Sequence, residues 1–135
     1  MSFSNSAETS VLEQVFKGTA LPWDANTDLY LALYTSDPLE AGSAISNEAT
    51  FGSYARVAVT RATDFTVSGN QVSNANLEQF IACSSGSNII THAAIVTSAS
   101  GAGTIIVRAA LNSSITVSTG VQPQFSANAL VFQLD

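Results

Sequence analysis

The side chains able to do chemistry in this chain are few. It has a single cysteine, Cys83, and a single histidine, His92. A thiol beside an imidazole is one way to activate sulfur as a nucleophile. Here Cys83 closes the apolar run Phe80-Ile81-Ala82-Cys83 and reads as a small buried hydrophobe. His92 lies inside another apolar run, Ile89-Ile90-Thr91-His92-Ala93-Ala94-Ile95, and no third group is placed to orient its ring. Zinc takes three or four ligands from Cys, His and carboxylates, and this composition falls short. Asp24-Ala25-Asn26-Thr27-Asp28 offers oxygens at a spacing of two, as calcium loops do at their start. It lacks the central glycine and the distal bidentate glutamate of such loops, and reads instead as an Asx-rich turn. Ser100-Gly101-Ala102-Gly103 leads into a strand, whereas a phosphate cradle needs a helix there. The expectation is no catalytic residue, no metal site and no cofactor.

Charge excludes further classes. Only 10% of the 135 residues are charged, and the net charge is −6 with four cations in all. A typical domain is roughly one-quarter charged. Nucleic-acid binding by counterion release requires clustered cations, so no nucleic-acid partner is expected. An acidic surface is repelled by anionic membranes, no apolar run reaches spanning length, and the first residues lack the pattern of a secretory signal. A surface so poor in charge suggests that other subunits cover part of it; the alternative is a neutral Ser/Thr surface on an extracellular monomer.

The elements that would carry these residues follow from periodicity. Ala7, Val11, Leu12, Val15 and Phe16 fall on one helical stripe, with Asn5 and Glu8 at capping-box spacing and Gly18 suited to the end. This predicts an amphipathic helix over 6–17, laid across an open face or end of the sheet; the alternative is a docking arm for a neighbouring subunit. The period then changes to two. Leu29, Leu31 and Leu33 share one face of a strand, with Tyr30, Ala32 and Tyr34 on the other, and both faces are apolar enough to be covered. Further strands are predicted at 56–61, 64–68, 71–73, 77–83, 89–97, 104–111, 115–118 and 124–134. Turn residues separate them, and a change of phase near Ala129 suggests a bend between sheets. The chain reads as one domain, 1–135, of all-β class: an antiparallel β-sandwich, jelly-roll-like, with one N-terminal α-helix and a long 36–54 loop.

Several segments carry a resemblance. The start, Asn5-x-x-Glu8 through Leu12 to Phe16-Lys17-Gly18-Thr19, is one. The most specific is Tyr30-Leu31-Ala32-Leu33-Tyr34-Thr35-Ser36-Asp37-Pro38-x-Glu40-Ala41-Gly42, continued by Asn47-Glu48 and Tyr54-Ala55-Arg56-x-Ala58-Val59-Thr60. Ile90-Thr91-His92-Ala93-Ala94-Ile95, the strand to Leu111, and Gly120 ahead of Phe125 extend it over nearly the whole chain. Together they resemble a family of small virion structural proteins of tailed bacteriophages. That resemblance implies a particle component assembled in the bacterial cytoplasm and no enzymatic activity. The expected role is a capsid cement or decoration protein on the shell exterior. Its partners would be the major capsid protein of the same phage and sister copies, with a homotrimer preferred. The alternative is a tail, baseplate or fibre component that binds a receptor or glycan.

Loops beyond about 12–15 residues are often interaction segments, and aromatic residues concentrate where proteins meet. The expected interface is therefore Tyr30, Tyr34, Asp37, Glu40, Glu48, Phe51, Tyr54 and Arg56, packed against another subunit. A competing expectation places the N-terminal helix over Tyr30 and Tyr34, with Leu12 and Phe16 as its contacts.

Overall fold

The computed structural model describes residues 2–134. In chain order the elements are β1 (Ser2–Phe3), α1 (Asn5–Lys17), β2 (Asp28–Tyr34), β3 (Val57–Thr60), β4 (Phe65–Ser68), β5 (Gln71–Asn74), β6 (Glu78–Gln79), β7 (Ser87–Val96), β8 (Ile105–Ser118), β9 (Gln124–Phe125) and β10 (Val131–Gln133). They form antiparallel sheets of five strands (β1-β8-β7-β2-β3), three (β10-β5-β4) and two (β6-β9). The architecture is the expected all-β one with a single helix, its second layer divided into two small sheets. The main core joins Leu29, Leu31 and Leu33 of β2 and Val59, Ile90, Ile95 and Val107 of the large sheet to Phe80, Phe125, Leu130 and Phe132 opposite. Val57 and Ile106 pack at its margin.

The other face of β2 is covered as well, by neither expected element. Ala32 and Tyr34 pack with Ala94, Val96, Ile105 and Ala44, the last contributed by the 36–54 segment. That loop folds back over its own sheet. Its backbone is tied to β2 by Thr35 N–H donating to Asn47 O (2.9 Å) and Ala49 N–H to Leu33 O (2.9 Å).

The helix departs from expectation in its cap and its packing. Ser4, not Asn5, is the N-cap: its backbone is extended and its Oγ accepts from Ala7 N–H at 3.2 Å. The cap falls one residue early because Ser4 still belongs to the edge of the large sheet. Its N–H donates to Ile106 O (3.2 Å) and its hydroxyl to Ile105 O. Glu8 in the first turn and Lys17 in the last suit the helix dipole. Gly18, at φ 69°, takes the left-handed cap geometry that a side chain would strain, its N–H donating to Gln14 O (3.1 Å). Yet Ala7 is the only buried residue of α1. Leu12, Val15 and Phe16 are 57%, 67% and 79% exposed, so beyond Ala7 and the half-buried Val11 the stripe faces water and not the sheet.

Strands expected at 104–111 and 115–118 are one strand, β8. It pairs Ile90 with Ile115 and His92 with Ala110, so residues 111–114 bulge opposite Thr91. The 124–134 strand is two: β9 pairs with β6 and β10 with β5. The change of phase near Ala129 is the passage between sheets. Asn128 there adopts φ 64°, and Asn74 fixes the crossing, its side chain donating to Ser126 O (2.8 Å) and accepting from Leu130 N–H (2.9 Å). The expected 77–83 strand survives only as β6.

Candidate functional site

Five of the eight residues singled out as an interface gather where the 36–54 loop folds onto β2: Tyr34, Glu48 and Arg56 around the outer cluster, and Phe51 and Tyr54 at the main core on the other side. Arg56 is buried, its side chain 2% exposed. Its Nε and Nη2 donate to the two Glu48 carboxylate oxygens at 2.6 and 2.8 Å, a bidentate charged pair. The remaining donors meet main-chain carbonyls: Nη1 reaches Ser98 O (2.8 Å), and Nη2 reaches Gly101 O (2.8 Å) and Ala44 O (3.3 Å). Tyr54 Oη donates to Glu48 (2.9 Å) and accepts from Leu33 N–H (3.0 Å). Tyr34 Oη donates to Ala44 O (2.9 Å). Phe51 is buried and packs edge-on against Tyr54, with ring centroids 5.3 Å apart. Burial holds both phenols above the ordinary tyrosine range, and the Glu48 charge adds to it. For the guanidinium, burial alone would lower the pKa, but the bond to Glu48 and its charge outweigh burial and the net direction is upward.

Such an arrangement locks a loop. Tyr34, Phe51 and Arg56 are consumed within the chain and present no contact surface to a partner, and the double apolar face of β2 is explained by the chain's own loop. Glu48 and Tyr54, half-buried, serve the same lock.

Asp37 and Glu40 stand apart, on Arg108 of β8. Arg108 Nη1 contacts the Asp37 oxygens at 2.6 and 2.7 Å, and Nη2 lies 3.5 Å from Glu40. Asp37 also accepts from Leu39 N–H (2.8 Å), fixing Leu39 at φ 68°, a left-handed conformation that a leucine rarely adopts. Gly42 closes this turn with its N–H on Leu39 O (3.1 Å), and a Cβ there would sit 1.7 Å from Pro38 O. The result is Leu39 held outward and 62% exposed, with Ile45 of the same loop 53% exposed. Tyr30 is half-buried beside the outer cluster.

The sequence reading missed these loop residues. The other large exposed apolar groups among the described residues are Leu12, Val15 and Phe16 on the helix, Val67, Val131 and Leu134 on and beside the three-stranded sheet, and Leu77, Ile81 and Ile89 elsewhere. The helical stripe was the available signal for the first three; no periodicity distinguishes the rest.

Residues weighed for catalysis do not assemble. Cys83 is buried and its thiol points to Ser85 O (3.1 Å). His92 Nδ1 is paired with the neighbouring Thr91 hydroxyl at 2.8 Å, and the residue stands in strand register between Tyr34 and Ala110. In the Asx-rich turn, the guanidinium of Arg61 occupies the carbonyl cluster: Nη1 donates to Trp23, Asp24 and Asn26 oxygens at 3.0, 2.8 and 3.0 Å. Among the described residues no group of three His, Cys, Asp or Glu is arranged to hold a metal, and no helix is long and apolar enough to cross a membrane.

A family model described as "Podophage GP4 fiber I protein gp80" matches residues 2–133. No curated protein sequence matches the chain.

Proposed function

We infer that this chain, which belongs to the podophage GP4 fiber I protein gp80 family of phage virion structural proteins, is a building block of a tail fibre and does its work by packing rather than by catalysis. The observation that carries this reading is the family match across residues 2–133. The surface fits a subunit role. Its polar loop network is turned inward, while large apolar side chains on α1, on the 36–54 loop and on the three-stranded sheet are left in water. Patches of that kind on a small protein mark sites of association.

The fibre reading takes the place of the capsid cement role, with its major capsid protein partner, expected from the sequence. A shell cement and a fibre subunit share the same demands on fold and solubility, and the family description supports the second. Copy number separates them. Quantitative gel densitometry or mass spectrometry of purified particles should give a small multiple of the fibre number. Stoichiometry approaching that of the shell subunits would refute the fibre assignment.

A further inference from the structure

We propose that α1 of one copy seats its Leu12, Val15 and Phe16 ridge in an apolar cleft of a second copy of this chain. The cleft lies where the edge of the five-stranded sheet meets the three-stranded one. Phe3 and Val107 form one wall, and Val67, Val72, Phe132 and Leu134 the other. Its volume is about 200 Å³, and none of its lining residues is charged. Val67 and Leu134 at its rim are 73% and 53% exposed.

Ridge and cleft are matched in chemistry. Leu12, Val15 and Phe16 stand at i, i+3 and i+4, the spacing by which an amphipathic helix enters a groove. Within one copy they stay apart. The hydrogen bonds of Ser4 to Ile105 and Ile106 pin the start of α1 to β8, and the rest of the ridge lies in solvent while the rim of the cleft does too. Every copy carries one ridge and one cleft, so mutual pairing of copies leaves neither unfilled, whereas a foreign partner for one would leave the other bare. A ridge-into-cleft contact is complete when it closes, either as a reciprocal two-fold pair or head-to-tail into a ring; the homotrimer expected from the sequence is one such ring.

The area is of the right order. A fully exposed apolar side chain offers on the order of 100 Å². In a reciprocal pair the ridge together with the cleft rim, Val67 and Leu134, at exposures of 53–79%, then supplies roughly 300 Å² of apolar surface per copy. A standard interface buries about 800 Å² per partner, a little over half of it apolar.

The test uses the purified full chain in size-exclusion chromatography with light scattering, and is independent of where the protein sits on a particle. The wild type should run at a multiple of 14.0 kDa. Phe16→Asp, which spoils the ridge, and Val67→Lys, which spoils the cleft, should each run as monomers with unchanged far-ultraviolet circular dichroism. Both positions are solvent-exposed, so folding is retained. Mixing the two variants should restore association, because the intact ridge of the second enters the intact cleft of the first. A monomeric wild type would overturn the proposal and point to a foreign partner. So would either single variant that keeps the oligomer, or a mixture that stays monomeric.

Discussion

Replacing Glu48 with Gln keeps the shape of the loop lock and removes only its negative charge. Arg56 would then be a guanidinium 2% exposed with no counter-ion. Breaking one side of a buried pair costs about 3–5 kcal/mol, because the charge left behind has lost both water and partner. Here the carbonyls of Ala44, Ser98 and Gly101 remain as acceptors, which places the expected loss near the lower end, about 3 kcal/mol. For a domain of this size that corresponds to a fall of about 10 °C in the thermal midpoint. The assay is urea unfolding followed by circular dichroism, with Glu13→Gln as control. Glu13 pairs with Lys17 at 3.2 Å, but both side chains are well exposed, at 42% and 69%, so the control should cost less than about 0.5 kcal/mol. Adding Arg56→Met to Glu48→Gln should cost far less than the sum of the two single changes. A loss below about 1 kcal/mol for Glu48→Gln, or additivity of the pair, would refute the view that this charged pair holds the loop on the sheet.

Other expectations follow from the same structure. Ser4→Ala should cost about 1–2 kcal/mol by removing the helix cap, and Asn5→Ala only a few tenths, read from denaturation midpoints. Leu31→Ala, in the centre of the core, should cost about 2–5 kcal/mol. Glu78 is buried, and that burial, followed by the nearby charge of Asp64, holds its carboxyl above the ordinary glutamate range. A raised folded-state pKa means that its contribution to stability is intact below the unfolded value and is lost as pH rises through the folded one. Glu78→Gln should therefore match the wild type in acid and become the more stable protein toward neutral pH, as thermal melts across pH would show.

The strands were legible where neighbouring side chains alternate and turns are marked by Gly, Asn and Ser. β2, β3, β4, β5 and β7 fall where periodicity puts them, within two residues. The change of phase at Ala129 was legible for the same reason, since a strand that crosses between layers must exchange its inward face. Tyr30 and Tyr34 were misleading because two apolar faces on a strand report only that both are covered. Which element covers them depended on Arg56 and Glu48 closing a loop across eight residues and reaching carbonyls at Ser98 and Gly101, contacts no local pattern encodes. The helix failed in the opposite sense: its stripe was read correctly as a stripe, but amphipathicity does not state whether the apolar partner is in the same chain. Leu39 was invisible to pattern reasoning, because its outward position comes from a left-handed turn set by Asp37 and Gly42.

The assignment of this chain to a fibre is tested most directly by locating it on the intact particle. Antibody raised against the purified chain, carried on gold and viewed by electron microscopy, should label the fibres at the tail end of the virion and leave the shell bare. Gold distributed over the capsid surface, with unlabelled fibres, would contradict the account.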